Sequence, residues 1–220
     1  MRNKTLMLAT TALALWTGTG SAQADGLYVS VFGGLNWVAD SSAATSGGNT
    51  TWSTDADTGF VLGGAIGGHL ERWLTGLSVE LEASYRRNDV GGVWSTFRDT
   101  GPIDANISTF ALMANAWYEH DMGWRIRPYV GGGVGWARAH LDGALVSWTT
   151  TFDTSNDGFA WQLGAGFNYE ASPGVNVGLD YRYFVGPDFK EPFADFGGEG
   201  FGTLDNDNHA VMVHINVDIN

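Results

Sequence analysis

Ser108 and His140 come nearest, by residue type and position, to a nucleophile and its general base in this chain. Both lie near the same end of neighbouring segments of alternating polarity. A hairpin folded about Met122 places Ser108 opposite Trp136, four residues from His140 and therefore about 13 Å away. That separation is too long for the hydrogen bond that activates a serine nucleophile. We therefore predict no catalytic residues and no enzyme activity.

The five histidines do not form a metal site in the predicted strands. His209 and His214 are an odd number of positions apart, so they face opposite sides of one strand. The glycine-rich run at 131–135 lacks the following helix that a nucleotide-binding loop requires. We therefore predict neither a metal site nor a cofactor.

Charged residues at every second position are the remaining groups that could do chemistry. Glu80 and Glu82 flank the apolar Leu81, and other segments repeat this alternation. A period of two puts apolar and polar side chains on opposite faces of a β-strand. The predicted charged face comprises Glu80, Glu82, Arg86, Arg125, Arg127, Glu170, Asp180, Arg182, His214 and Asp218.

Eight segments carry the alternation and must position this charged face. Each reaches the about 9–11 residues that a tilted strand needs to cross a membrane. Long connections, near 39–56, 89–104, 141–156 and 188–206, alternate with short turns near 71–73, 121–123 and 172–174, which is typical of outer-membrane barrels. The approximate segments are 26–38, 57–70, 74–88, 105–120, 124–140, 157–171, 174–187 and 207–219.

Residues 1–24 have the three regions of a secretory signal peptide. Arg2 and Lys4 precede an apolar run, and Ala22-Gln23-Ala24 forms a small-x-small cleavage site. No later stretch is apolar over the about 18 residues that indicate a transmembrane helix, so a closed barrel is the structure that could span a membrane. We predict a signal peptide at 1–24 and one barrel domain at 25–220.

The predicted fold class is all-β, an eight-stranded antiparallel up-and-down transmembrane β-barrel. Trp124 and Trp136 share one apolar face, and twelve residues of tilted strand separate them by about 30 Å, which matches two aromatic girdles at the membrane interfaces. A soluble periplasmic barrel with its apolar face inward is an alternative. The predicted interfacial aromatics are Trp37, Trp73, Tyr118, Trp124, Trp136 and Tyr169.

The charged face would fill the interior, because eight strands leave room only for side chains. Its five carboxylates and four arginines favour a paired network, since an isolated buried ion is strongly destabilising. A network that closes the lumen is the preferred interpretation, and a small porin-like channel is the alternative. Glycines 131, 133, 135, 164 and 166 also face inward and could leave a partial channel.

The run Arg127-Pro128-Tyr129-Val130-Gly131-Gly132-Gly133-Val134-Gly135-Trp136, with the eight segments and the signal peptide, resembles the OmpA-like, opacity-protein and Omp25/31-type small outer-membrane barrels. The resemblance covers residues 25–220. It implies a location in the outer membrane of a Gram-negative bacterium, after export through a cleaved signal peptide. Such barrels usually end in an aromatic residue, whereas this chain ends in Asn220.

The resemblance implies a structural or surface-interaction role in envelope integrity, adhesion or antigen display. Some small outer-membrane barrels are lipid-modifying enzymes, a less favoured alternative here. The net charge of −13, which becomes −15 without Arg2 and Lys4, argues against a nucleic-acid partner. The expected partners are outer-membrane lipid and lipopolysaccharide, the barrel assembly machinery and a host or environmental ligand of the extracellular loops.

Overall fold

The computed structural model describes residues 26–38, 41–44, 50–96, 100–145, 150–190, 203–204 and 206–219. The predicted signal peptide and Asn220 lie outside these residues. Within the described part of the chain, no helix is long and apolar enough to cross a membrane. The strands are β1 Leu27–Val38, β2 Ser41–Ala44, β3 Thr50–Ala56, β4 Gly59–His69, β5 Leu77–Thr96, β6 Thr100–Glu119, β7 Ile126–Leu145, β8 Thr150–Ser172, β9 Val175–Val185, β10 Phe189–Lys190, β11 Thr203–Leu204 and β12 Asp207–Ile219.

Eight of these strands close into an antiparallel barrel. Their order around the wall is β5-β4-β1-β12-β9-β8-β7-β6, and β6 pairs back to β5. The first and last strands form one seam, which runs from Leu27↔Ile219 to Val38↔Asn208. Closure pairs the edges that an open sheet would expose. The predicted eight-stranded barrel is therefore confirmed.

The two faces of the wall have opposite polarity. Val31 and Leu81 are both 61% exposed on the outer face, whereas Glu82 and Asp180 are each 2% exposed inside. Large apolar side chains therefore cover the outside of the barrel, and the buried ionisable side chains lie inside it. This orientation suits a hydrocarbon surrounding and is the reverse of what the soluble-barrel alternative requires.

Three short connections join strands at one end of the barrel. Each contains a glycine with positive φ: Gly76 at 83°, Gly123 at 73° and Gly174 at 76°. Glycine adopts this left-handed conformation without the steric penalty that a Cβ brings. In the connection between β6 and β7, Asp121 Oδ1 also accepts a hydrogen bond from Gly123 N at 2.7 Å.

The strands extend further than predicted at the opposite end. β5, β6 and β7 have 20 residues each and β8 has 23, so they occupy most of the predicted loops 89–104 and 141–156. Backbone pairing in these hairpins therefore continues beyond the residues whose apolar alternation predicted the strands. The β2–β3 hairpin pairs with β5, and β10 and β11 form a separate two-stranded sheet.

Candidate functional site

Arg182 lies in the lumen and joins opposite walls of the barrel. It projects from β9, and its Nη1 lies 2.5 Å from Glu82 Oε2 on β5, four strands away around the wall. Its Nε lies 2.7 Å from Asp180 Oδ2, and all three side chains are buried. A guanidinium between two carboxylates neutralises charges that would be costly to bury alone.

His214 extends this ion pair network along β12. Its Nδ1 lies 2.9 Å from Asp180 Oδ1, and its Nε2 lies 2.7 Å from Asn168 Oδ1. From β12, the imidazole thereby bonds to the next two strands around the wall, β9 and β8. The structure thus brings together four residues of the predicted charged face: Glu82, Asp180, Arg182 and His214.

Two neutral amides share Glu82 Oε2 with Arg182, whereas Glu82 Oε1 is buried with no hydrogen-bond partner among the described residues. Asn115 Nδ2 and Gln162 Nε2 donate to Glu82 Oε2 at 2.9 and 3.2 Å, and Gln162 also donates to Asn115 Oδ1 at 2.8 Å. The alternation of charged and apolar residues does not single out either amide. Their positions on the inward side of the two-residue period were the signal that could have found them.

Glu80 lies two residues nearer the short-turn end and has a different set of partners. It accepts hydrogen bonds from Trp117 Nε1 at 2.7 Å, Asn115 Nδ2 at 3.0 Å and the Tyr28 hydroxyl at 3.1 Å. All three donors are neutral. This carboxylate is therefore hydrogen-bonded without being neutralised by them.

A packed apolar layer fills the lumen on the long-strand side of Arg182. Arg86 crosses this layer with its Cζ 3.8 Å from the Phe184 ring centroid, a cation–π contact, and its Nη1 donates to Ser84 Oγ at 3.1 Å. Two buried clusters make up the layer: Phe32, Val61, Ala210 and Met212, and Ala111, Met113, Ala137, Ala160 and Phe184.

Buried asparagines form the next layer. Asn36 Nδ2 donates to Asn88 Oδ1 at 2.5 Å and to Asn208 Oδ1 at 2.9 Å, and Asn206 Nδ2 donates to Thr109 Oγ1 at 3.2 Å. The lumen therefore changes along its axis from an ion pair network, through apolar side chains, to a network of amides.

A cavity of about 310 Å³ occupies the short-turn half of the lumen. Arg182 lines it together with Glu80 and the aromatic residues Tyr28, Trp117 and Tyr129. Near its opening, Arg127 Nε lies 3.0 Å from Glu119 Oε1, an ion pair separate from the central one. We call this cavity the vestibule.

Three predicted lumen residues lie outside the central ion pair network. Arg125 precedes β7 and is exposed in the turn, where its hydrogen bond to the Tyr169 hydroxyl raises the pKa of the guanidinium. Glu170 and Asp218 line the vestibule near strand ends, and neither is buried. The alternation does locate a face, but it does not distinguish a strand interior from the turn beside it.

The inward glycines make room for large lumen side chains. A Cβ at Gly133 would overlap the Asn115 amide, and one at Gly164 would lie 3.1 Å from Trp117 Cη2 and 3.2 Å from Arg182 Cγ. The space beside these glycines is therefore occupied, and they do not leave the partial channel that the sequence suggested.

The profile of the outer membrane protein beta-barrel domain family matches residues 5–216. The chain belongs to this family. Its barrel therefore lies in the outer membrane of a Gram-negative bacterium, with the short turns and the vestibule on the periplasmic side and the long hairpins outside.

Solved outer-membrane barrels share the fold of this family member at low sequence identity. Neisserial surface protein A matches with 14% identity over 88% of this chain and 97% of its own, at a TM-score of 0.52. OprG from Pseudomonas aeruginosa matches with 19% identity over 87% of this chain and 95% of its own, at a TM-score of 0.55. The outer membrane protease OmpT from Escherichia coli matches with 9% identity over 90% of this chain and 98% of its own, at a TM-score of 0.55. No curated protein matches the sequence.

The predicted interfacial aromatics of this outer-membrane barrel lie on its outer side. Tyr118, Trp136 and Tyr169 are exposed on the wall, and Trp73 and Trp124 are exposed in the turns, at 86% and 72%. Trp37, also on the outer face, stacks on His209 with ring centroids 6.1 Å apart. Trp124 precedes β7, so the turn rather than the strand holds it.

The strand register places Ser108 directly opposite His140. The sequence-based register, which put Ser108 opposite Trp136, is therefore wrong by four residues. Glu119 pairs with Tyr129, so the hairpin folds about position 124 rather than 122. A shift of two residues in the centre of a hairpin moves the pairing by four.

In the corrected register, the His140 ring has Ser155, Asp142 and Asp153 as polar neighbours. Its Nδ1 lies 2.9 Å from Ser155 Oγ, but its Nε2 lies 3.8 Å from Asp142 Oδ1, longer than the hydrogen bond that would orient a general base. The surrounding backbone pairs along the β6–β7 and β7–β8 ladders. Among the described residues, no group of three or more His, Asp or Glu is arranged to hold a metal ion.

Proposed function

We propose that this outer-membrane barrel is a closed, non-enzymatic protein with a structural or surface-interaction role in the cell envelope. The observation that carries the proposal is the Arg182–Glu82 ion pair across the lumen, backed by the apolar layer around Phe184. A solute would have to separate a buried ion pair and then cross packed side chains, and both steps are energetically costly.

The long hairpins support a role in contact with other molecules. β5 to β8 continue beyond the apolar band as paired strands, and such rigid elements position exposed loops for binding. Lipopolysaccharide and a host or environmental ligand are the partners that this surface would meet. Envelope integrity and adhesion are the corresponding roles.

Planar-bilayer recording tests whether the lumen is closed. The purified wild-type barrel should give no resolvable single-channel steps in a bilayer in which a known porin conducts. Arg182→Ala removes the ion pair to Glu82 but keeps the apolar layer, so this variant should also give no single-channel steps. The exposed control Arg87→Ala should behave in the same way. Discrete wild-type steps that Arg182→Ala alters and Arg87→Ala does not would establish the competing porin-like channel.

Replacement of the outer part of the β7–β8 hairpin, residues 142–153, by a two-residue turn tests the surface role. The barrel should fold and insert as before, because the large exposed apolar residues of β7 and β8 end at Trp136 and Phe159. Cells that carry the shortened protein should adhere to host surfaces, or resist detergent, as poorly as cells that lack it. Full retention of both properties would contradict a surface role for this hairpin.

A further inference from the structure

The vestibule has more carboxylates than its arginines can neutralise. Five acidic residues line it, Glu71, Glu80, Glu119, Glu170 and Asp218, against Arg127 and Arg182. Both arginines are already committed, Arg182 to Glu82 and Asp180, and Arg127 to Glu119. A concave surface with one sign of charge concentrates the opposite ion, so the vestibule attracts cations from the periplasm.

The inner end of the vestibule combines a carboxylate with aromatic rings. Glu80 is held by Tyr28 and Trp117, and Trp117 packs edge-to-face on Tyr129 with ring centroids 5.6 Å apart. The Trp117 ring already accepts one cation, since Arg182 Cζ lies 5.0 Å from its centroid. Glu82 and Asp180 balance the charge of Arg182, so it does not prevent a second cation from binding.

These neighbours suit an organic cation better than a metal ion. Calcium and magnesium need about six or more oxygen ligands, whereas Glu80 is surrounded by rings and neutral donors. Ammonium groups bind to carboxylates and to the faces of aromatic rings. The volume of about 310 Å³ is at the lower end of the range for small-molecule pockets.

We propose that the vestibule is a binding site for a small organic cation with a primary or quaternary ammonium group. The ligand enters from the periplasm, and its ammonium group lies against Glu80 and the rings of Tyr28, Trp117 and Tyr129. The site ends at Arg182, so binding needs no passage through the barrel and does not depend on the proposed surface role.

Isothermal titration calorimetry of the barrel in nonionic detergent, with tetramethylammonium and 1,4-diaminobutane as probes, tests the proposal. At least one probe should bind saturably at one site, and neutral 1,4-butanediol should not. Glu80→Gln keeps the shape of the side chain but removes its charge, so affinity should fall at least tenfold. Asp157→Asn removes an exposed carboxylate on the outer wall and should leave affinity unchanged.

The absence of saturable binding by both probes would overturn the proposal, as would equal affinity in Glu80→Gln. Equal competition by Mg²⁺ at matched ionic strength would show charge screening instead of a site. Should Glu80→Gln not fold, nitrogen-15 NMR of the wild type decides. The indole resonance of Trp117 should shift during the titration while that of Trp136, on the outer wall, stays in place, and an unmoved Trp117 resonance would overturn the proposal.

Discussion

Arg182 is the residue on which the stability of the lumen depends most. Its guanidinium serves Glu82 and Asp180 together, so its removal would leave Glu82 buried without an ion-pair partner and Asp180 with His214 alone. Loss of one partner from a buried ion pair typically destabilises a protein by about 3–5 kcal/mol. An ion pair of similar geometry at the protein surface contributes far less to stability.

We therefore expect Arg182→Met to lower the free energy of unfolding by about 3–5 kcal/mol. Arg87→Met is the matched control, because Arg87 is exposed and donates one hydrogen bond, to Asn106 at 3.0 Å. It should change stability by less than about 0.5 kcal/mol. Urea unfolding of both variants in lipid vesicles, followed by tryptophan fluorescence, measures the difference. Equal effects would show that the central network contributes no special stability.

The sequence identifies the charged residues of the network more readily than its neutral ones. Glu82 and Asp180 stand out because a charge beside apolar neighbours marks the inward face. Asn115 and Gln162 do not, because amides are equally common in loops and on polar faces. Which arginine reaches which carboxylate depends on register and barrel closure, and neither can be read from alternation within one strand.

At the scale of elements, the periplasmic turns depend on glycine to different degrees. An alanine Cβ at Gly123 would meet no atom within 4 Å, so only the positive φ opposes it. At Gly76 the same Cβ would overlap the backbone carbonyl of Glu119 in the neighbouring strand. The turn at Gly123 is thus constrained by backbone conformation alone, whereas the turn at Gly76 is constrained by packing as well.

Gly123→Ala should therefore cost about 1–2 kcal/mol of stability, the penalty for a left-handed alanine. Gly76→Ala should cost clearly more, because the backbone of β6 must move as well. Thermal unfolding of both variants in the same detergent measures the order. A larger loss in Gly123→Ala than in Gly76→Ala would contradict the packing argument.

The number and the faces of the barrel strands follow from sequence because hydrocarbon outside and ions inside enforce a strict period of two. Strand ends do not. β5 and β7 continue past Asn88 and Leu141, where polar and small residues interrupt the apolar alternation, so nothing in the pattern shows that pairing continues. The register between Ser108 and His140 depends on turn geometry around Gly123, and a small error there displaces every pair in the hairpin.

For the whole molecule, the cost of a charge on the outer wall should depend on its depth in the membrane. Val213 and Ile219 both face outward on β12, but Val213 lies six residues further from the periplasmic end. Lipid-facing arginine costs about 2–4 kcal/mol at the midplane and about 0–1 near the interface. The difference in stability between an arginine at position 213 and one at position 219 therefore measures how this barrel is placed in the bilayer.

Val213→Arg should destabilise the barrel by about 2–4 kcal/mol and Ile219→Arg by no more than about 1 kcal/mol. Reversible unfolding from phospholipid vesicles measures both. Met212→Arg, one residue away on the lumen face, separates the effect of lipid from that of side-chain packing. Equal losses in Val213→Arg and Ile219→Arg would mean that the apolar band is not centred where the strands place it.

The β1–β12 seam gives the barrel a mechanical weakness that its thermodynamic stability does not reveal. Leu27 and Ile219 are partners at the same edge, so a force that pulls them apart loads one hydrogen-bonded pair at a time and unzips the seam. Traction between Val38 and Ile219, at opposite ends, loads the whole row in shear. The barrel should thus open under a small tension applied between Leu27 and Ile219 at its periplasmic edge, and resist a far larger one applied along its axis.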